Sequence, residues 1–239
     1  MPGLFRDQGV VLRTVKLGEA DRIVTFITQG HGKVRAVAKG VRKSGSKFGG
    51  RLEPTSHLAF QAYQGRGDLD TVTQVEVIDP LRKVREDYTR LTHALPMLEA
   101  VDQVAQDREP HPALYRMLVG ALRELERNPS PMITTAFVLK LCALEGFQPS
   151  LDECVQCASP GPFPAFDPVG GGVLCGTCAQ YGGVQLTGAA LDVLHDIFEG
   201  GLNRALAAPV GPTTREVERI AVSVLEHHVE RRLRSAALL

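Results

Sequence analysis

The stretch Ile23-Val-Thr-Phe-Ile-Thr-Gln-Gly-His-Gly-Lys-Val-Arg-Ala-Val37 decides the architecture of the amino-terminal third. Two runs rich in β-branched residues flank Gln29-Gly-His-Gly32, whose glycines supply the backbone freedom of a hairpin turn. The pattern recurs on both sides. Gly9-Val-Val-Leu12 through Val15 precedes it, and Leu58-Ala-Phe60 and Thr71-Val-Thr-Gln-Val-Glu-Val-Ile78 follow. Five short strands, with no helix long enough for a parallel crossover between them, predict a small closed barrel of the OB type. Alternation alone fits an SH3-like barrel nearly as well.

Beyond Asp79-Pro80 the hydrophobic period changes from two to about 3.6. Leu91, Ala94, Leu95, Leu98, Val101 and Val104 make one helical stripe, in which Pro96 is expected to kink or break the helix. Leu114, Met117, Leu118, Ala121, Leu122 and Leu125 make a second, stopped by Asn128-Pro129. Ser130-Pro131 reads as an N-cap and first-turn proline for a third helix, with Gly146 past its end. Further on, Thr187 is expected to cap a helix that stops at Gly200-Gly201, and Thr213-Thr-Arg-Glu216 to open the last helix as a capping box.

Between these helices the residue types dictate one chemistry. Cys154-Val-Gln-Cys157 and Cys175-Gly-Thr-Cys178 make a C-x2-C-x17-C-x2-C pattern. Two cysteines three apart can turn both sulfurs onto one ion, and two such knuckles complete a tetrahedron of thiolates at about 2.3 Å from zinc. The insert, with Ser159-Pro-Gly-Pro-Phe-Pro164 and Gly170-Gly-Gly172, is rich in turn residues and too poor in apolar ones to order itself. One structural Zn2+ is therefore expected on Cys154, Cys157, Cys175 and Cys178. A pair of redox motifs would need βαβ turns, which the pattern lacks. The fifth cysteine, Cys142, sits in an apolar run and reads as core.

The predicted fold is thus α+β and multidomain. A five-stranded OB-type barrel for nucleic-acid binding takes residues 1–80, an all-helical domain takes 81–150 and 183–239, and a four-cysteine zinc module inserted in it takes 151–182.

Net charge is zero, but residues 1–81 carry 12 Lys and Arg against 8 Asp and Glu, and the remainder 15 against 19. From Arg22 to Arg51 there are eight basic residues and no acidic one. The segment Lys39-Gly-Val-Arg-Lys-Ser-Gly-Ser-Lys-Phe-Gly-Gly-Arg51 reads as a mobile basic loop beside the barrel. Arg35, Lys39, Arg42, Lys43, Lys47 and Arg51 are the candidate contacts to phosphates, through salt-sensitive binding of weak sequence selectivity. Phe48, Phe60 and Tyr63 are either base-stacking or core residues. Asp152 and Glu153, beside the first knuckle, argue against phosphate contact there.

There is no G-x-x-x-x-G-K-[ST] loop, no dinucleotide fingerprint and no nucleophile with a recognisable base. His93 and His195 read as structural histidines on helical faces. No apolar run approaches the roughly 20 residues that span a bilayer. Nor does Met1-Pro-Gly-Leu-Phe-Arg-Asp have a signal peptide's layout, so a cytoplasmic, nucleoid-associated protein is expected.

Gly9-Val-Val-Leu12, Gly18-Glu-Ala-Asp21, Phe26-Ile-Thr28, Gly30-His-Gly32 and Ala38-Lys-Gly-Val-Arg42, in this order, resemble the bacterial recombination mediators of the RecO family. The four cysteines match a zinc motif found in many of its members, and the helices match by order and length. The resemblance implies a non-enzymatic DNA-repair protein that binds single- and double-stranded DNA and anneals complementary strands. With RecR, it would help load RecA onto DNA coated by single-stranded-DNA-binding protein. It implies as partners that protein's C-terminal tail, RecR and, as a further candidate, RecF, and it marks Lys39 and Arg42 as DNA contacts. An adaptor that binds protein partners through the same loop is the alternative.

Overall fold

The computed structural model describes residues 3–229 and 232–235. The chain forms two compact units, residues 1–128 and 129–239.

In the first unit, β1 (Leu4–Leu17), β2 (Asp21–Thr28), β3 (Lys33–Ala38), β4 (His57–Tyr63) and β5 (Asp70–Asp79) close a barrel in the order β1-β2-β3-β5-β4. The 14-residue β1 serves two neighbours. Its first half, Leu4 to Val10, pairs with β4, and its second, Gly9 to Leu17, with β2. A bulge between Val11 and Arg13 bends the strand from one partner to the other. The ring closes where β3 and β5 run parallel, Ala36 opposite Asp70 and Val37 opposite Thr71. These pairings are those of the OB-type barrel that alternation could not separate from its rival.

The segment from residue 39 to 51 is not the mobile polar loop expected from its glycines. Val41, Phe48 and the following Leu52 are buried with Val24, Phe26, Leu58, Phe60 and Val72 in the barrel core. Successive turns carry the chain, with Lys43 N–H donating to Gly40 O, Ser46 to Lys43 and Gly49 to Ser46, into a 3-10 turn at Gly49–Leu52. The segment closes one mouth of the barrel. Phe60 stacks on Phe26 at 4.7 Å between ring centres, so both Phe48 and Phe60 are core, and of the three aromatic candidates only Tyr63 is exposed.

Three helices pack in the same unit: α1 (Arg82–Glu86), α2 (Tyr88–Val104) and α3 (Pro112–Arg127). Strands give way to helices at residue 80, yet the compact unit extends to Asn128. Pro96 lies inside a continuous α2 instead of breaking it. The α2–α3 connection grips the β2–β3 hairpin, as Lys33 N–H donates to Gln106 O and Arg108 N–H to Lys33 O. Arg108 also reaches the fully buried Asp70, at 2.9 Å.

His57 Nε2 meets Tyr115 Oη at 2.8 Å in the interior. Burial, with Arg123 nearby, lowers the His57 pKa from its ordinary value, and Asp79 opposes this in part. Between that lowered value and the ordinary value of about 6.5, the unfolded chain binds a proton that the folded chain does not. The His57 contribution is therefore present above about pH 6.5 and declines as pH falls below it. Urea unfolding followed from neutral to mildly acidic pH should show this decline, and His57→Gln should flatten it.

The second unit holds α4 (Met132–Leu144), α5 (Gly188–Phe198), α6 (Leu202–Leu206) and α7 (Pro212–Val229), with a small sheet of β6 (Ala165–Asp167), β7 (Gly172–Leu174) and β8 (Val184–Gln185) in the order β7-β6-β8. Two capping expectations are corrected. Ser130 does not cap α4: its hydroxyl donates to Leu206 O, at the end of α6. Glu216 does not close a capping box either. Its carboxylate accepts from the Thr187 N–H at 2.6 Å and hydroxyl at 3.1 Å, fixing the start of α5, while Thr214 Oγ1 accepts from Gly211 N–H at the start of α7. Both side chains found distant partners, which local pattern cannot anticipate. Thr187 does cap α5, accepting from Ala190 N–H at 3.2 Å. Among the described residues, no helix is long and apolar enough to cross a membrane.

Candidate functional site

The cysteine module is built by short-range geometry. After α4 the chain is pinned by Ser150, whose N–H donates to Gly171 O and whose carbonyl accepts from Val173 N–H. Cys154 follows in a tight knuckle, its N–H donating to Ser159 O and its carbonyl accepting from Ala158 N–H at 2.7 Å. The β6–β7 hairpin then delivers the second knuckle, closed by Ala179 N–H to Cys175 O at 2.9 Å. Gly172 is obligatory at the crossing, since a Cβ there would stand 2.6 Å from Ser150 O and 2.4 Å from Val155.

The four sulfurs of Cys154, Cys157, Cys175 and Cys178 lie within 4.8 Å of one another. None of the four is in a disulfide, and Cys157 and Cys175 Sγ are 3.6 Å apart. Sulfurs at the corners of a tetrahedron about 2.3 Å from its centre would be about 3.8 Å apart, so the cage fits a metal ion. Backbone N–H groups, that of Cys175 foremost, pull the Cys154 thiol down to about 6. A hydrogen bond donated to Cys157, with burial, pushes Cys178 up to about 12. Crowded sulfurs thus divide into donors and acceptors of protons until a cation replaces the protons. Cys142 stands apart, buried within α4, and burial lifts its thiol to about 12. It is an inert core residue, as its sequence context predicts.

The six basic candidates are not equivalent. The Arg42 guanidinium donates to Glu19 O at 2.9 Å and Gly18 O at 3.3 Å, and Asp21 accepts from Gly40 N–H, so the β1–β2 turn braces the basic segment. Lys47 Nζ donates to Thr73 O, and Arg51 to the carbonyls of Phe48, Val75 and Lys47. Two of these four acceptors, Thr73 and Val75, lie on β5 beyond the residues paired with β3. Carbonyls satisfy hydrogens but leave the charge uncancelled, so Arg42, Lys47 and Arg51 keep a positive field. Lys39 and Lys43 are exposed, and their side chains make no hydrogen bond or ion pair among the described residues. Arg35 is half-buried on β3, and its Nε has no partner among the described residues.

Beside this segment lies a groove of about 900 Å³, lined in part by Arg6, Gln8, Lys47, Arg51, Gln61 and Gln74. Strand register makes these neighbours, Arg6 opposite Gln61 and Gln61 opposite Gln74. The sequence reading missed Arg6 and the glutamines, because only the pairing of β1, β4 and β5 brings them together.

Two family models match the chain: Recombination protein O N terminal over residues 1–81 and Recombination protein O C terminal over residues 85–237. The first spans the barrel, and the second the helices with the four-cysteine module. The chain belongs to the RecO family of recombination proteins, and its role is in DNA repair and recombination.

Proposed function

We propose that the chain is a recombination mediator that binds single- and double-stranded DNA through its barrel and anneals complementary strands. With RecR it helps load RecA onto DNA coated by single-stranded-DNA-binding protein; that protein's C-terminal tail, and RecF, are its further partners. It does so in the cytoplasm and without catalysis of its own. The observation that carries the reading is the basic segment closing the barrel mouth. Arg42, Lys47 and Arg51 are held rigid by carbonyls, and Lys39 and Lys43 reach into solvent. With Arg35 these six residues are the proposed phosphate contacts. The four cysteines hold one structural Zn2+, which cross-links two knuckles and, with four thiolates, leaves no position for a substrate.

Mechanistically, a fixed row of positive charges lowers the repulsion between two phosphate backbones, so complementary strands meet without base-specific contacts. Lys39 and Lys43 are the residues to test, because neither braces the fold. In the double variant Lys39→Ala/Lys43→Ala, affinity for single-stranded DNA should fall, and the dependence of log K on log salt should flatten by about 0.7 per lost contact. Annealing of complementary oligonucleotides coated by single-stranded-DNA-binding protein, without ATP, should slow in parallel. An unchanged salt slope would remove this segment from the DNA interface and favour the adaptor reading, in which the loop meets an acidic protein surface.

A further inference from the structure

A second group of ligating side chains stands at the base of the cysteine module. Asp152 lies two residues before Cys154, and His195 and Glu199 are one turn apart at the end of α5. One ligating atom from each of the three lies within 4.8 Å of the others. His195 Nδ1 and Glu199 Oε1 are 2.8 Å apart. Two donors about 2.1 Å from a shared tetrahedral ion stand about 3.4 Å apart, so a small opening of this hydrogen-bonded pair gives the bite of a chelate. The third donor comes from a different segment that is itself fixed, since Ser150 is bonded into the β7 hairpin on both its polar backbone groups and Leu151 is buried.

Charge favours a cation here. Among the described residues the Asp152 carboxylate has no hydrogen bond or ion pair, and Glu199 meets only the imidazole. Arg204, the cation engaged on α5, is taken by Asp196. The open carbonyls of the last turn of α5 add partial negative charge at the same end.

We infer that Asp152, His195 and Glu199 form a second metal site, for a divalent transition ion of the zinc class, which pins the entry of the cysteine module to the helix that follows its exit. The ion takes the place of the proton shared by His195 and Glu199, and that proton passes to solvent. One imidazole and two carboxylates are harder donors than four thiolates, and three protein ligands leave a position for water. The ion here is therefore the more readily exchanged of the two, and the ion in the closed thiolate cage the more tightly held. The site makes attachment of the module responsive to free metal.

Equilibrium dialysis of the full chain against zinc, with metal analysis, tests this. The wild type should hold one equivalent more than His195→Ala/Glu199→Gln, and Asp152→Asn should also lose the second equivalent. All three side chains are at least partly exposed, so the variants should keep the wild-type melting curve. Cobalt gives an independent readout. Its first equivalent should bring the intense sulfur-to-metal charge-transfer bands of the thiolate cage, and its second should bind without adding to them. A wild type that binds only the charge-transfer equivalent, or variants that retain the second, would overturn the inference. Absence of the charge-transfer bands would instead count against the thiolate site, so the two failures are distinguishable.

Discussion

Replacing Gly32 with alanine should unfold the barrel unit, at a cost of about 4 kcal/mol or more, the range reserved for the most disruptive single substitutions. Gly32 has φ +65°, and a Cβ there would lie 2.0 Å from Glu109 O and 2.6 Å from Glu109 N. The obstacle is backbone, so no side-chain rotation relieves it. The α2–α3 connection would have to lift, taking with it the bonds between Lys33 and residues 106 and 108 and straining the pair of Arg108 with buried Asp70. Gly18→Ala is the control. Its φ of +58° is as unfavourable, but nothing stands within 4 Å of the added carbon. It should cost only about 1 kcal/mol, from conformation alone. Urea unfolding of both variants measures the difference. Equal losses would mean that the close approach to Glu109 contributes nothing.

The second large effect concerns the thiolate cage. Cys157→Ser, or chelation of the wild type, should abolish hydrogen-exchange protection across residues 150–186 and leave residues 4–79 protected as before. Cys157 is exposed, so its replacement removes a ligand without opening a cavity in packed surroundings. Structural zinc contributes about 10–16 kcal/mol of apparent binding energy in small domains, far more than three strands of two or three residues supply. Protection that persists after chelation would show that the β6–β7 hairpin and the Ser150 clasp hold the module unaided.

What was legible in the sequence was local. The cysteine spacing, the strand alternation and the Thr187 cap are decided within a few residues, and each appears where its pattern placed it. Glu216 was misassigned because its carboxylate serves a backbone N–H 29 residues earlier, and Ser130 because its hydroxyl turns to Leu206. Val41, Phe48 and Leu52 were hidden by the glycines and charges around them. Their burial depends on the bore of a barrel assembled from strands distant in the sequence, β1 among them, which composition cannot represent. The groove residues Arg6, Gln61 and Gln74 become a group only through register. Likewise, α1–α3 belong with the barrel because of contacts that a strand-to-helix change does not reveal.

The lid formed by residues 39–52 also sets which changes this surface can accept. Its charged positions face solvent, whereas 41, 48 and 52 are moored inside the barrel. Exchanging Lys39 or Lys43, whose side chains brace nothing, alters the surface field and leaves the moorings alone. Adding or deleting a single residue between Val41 and Phe48 shifts one mooring out of register and opens the core. Over evolutionary time, the length of the segment should therefore stay fixed, and a redesigned interface here should be sought by substitution alone.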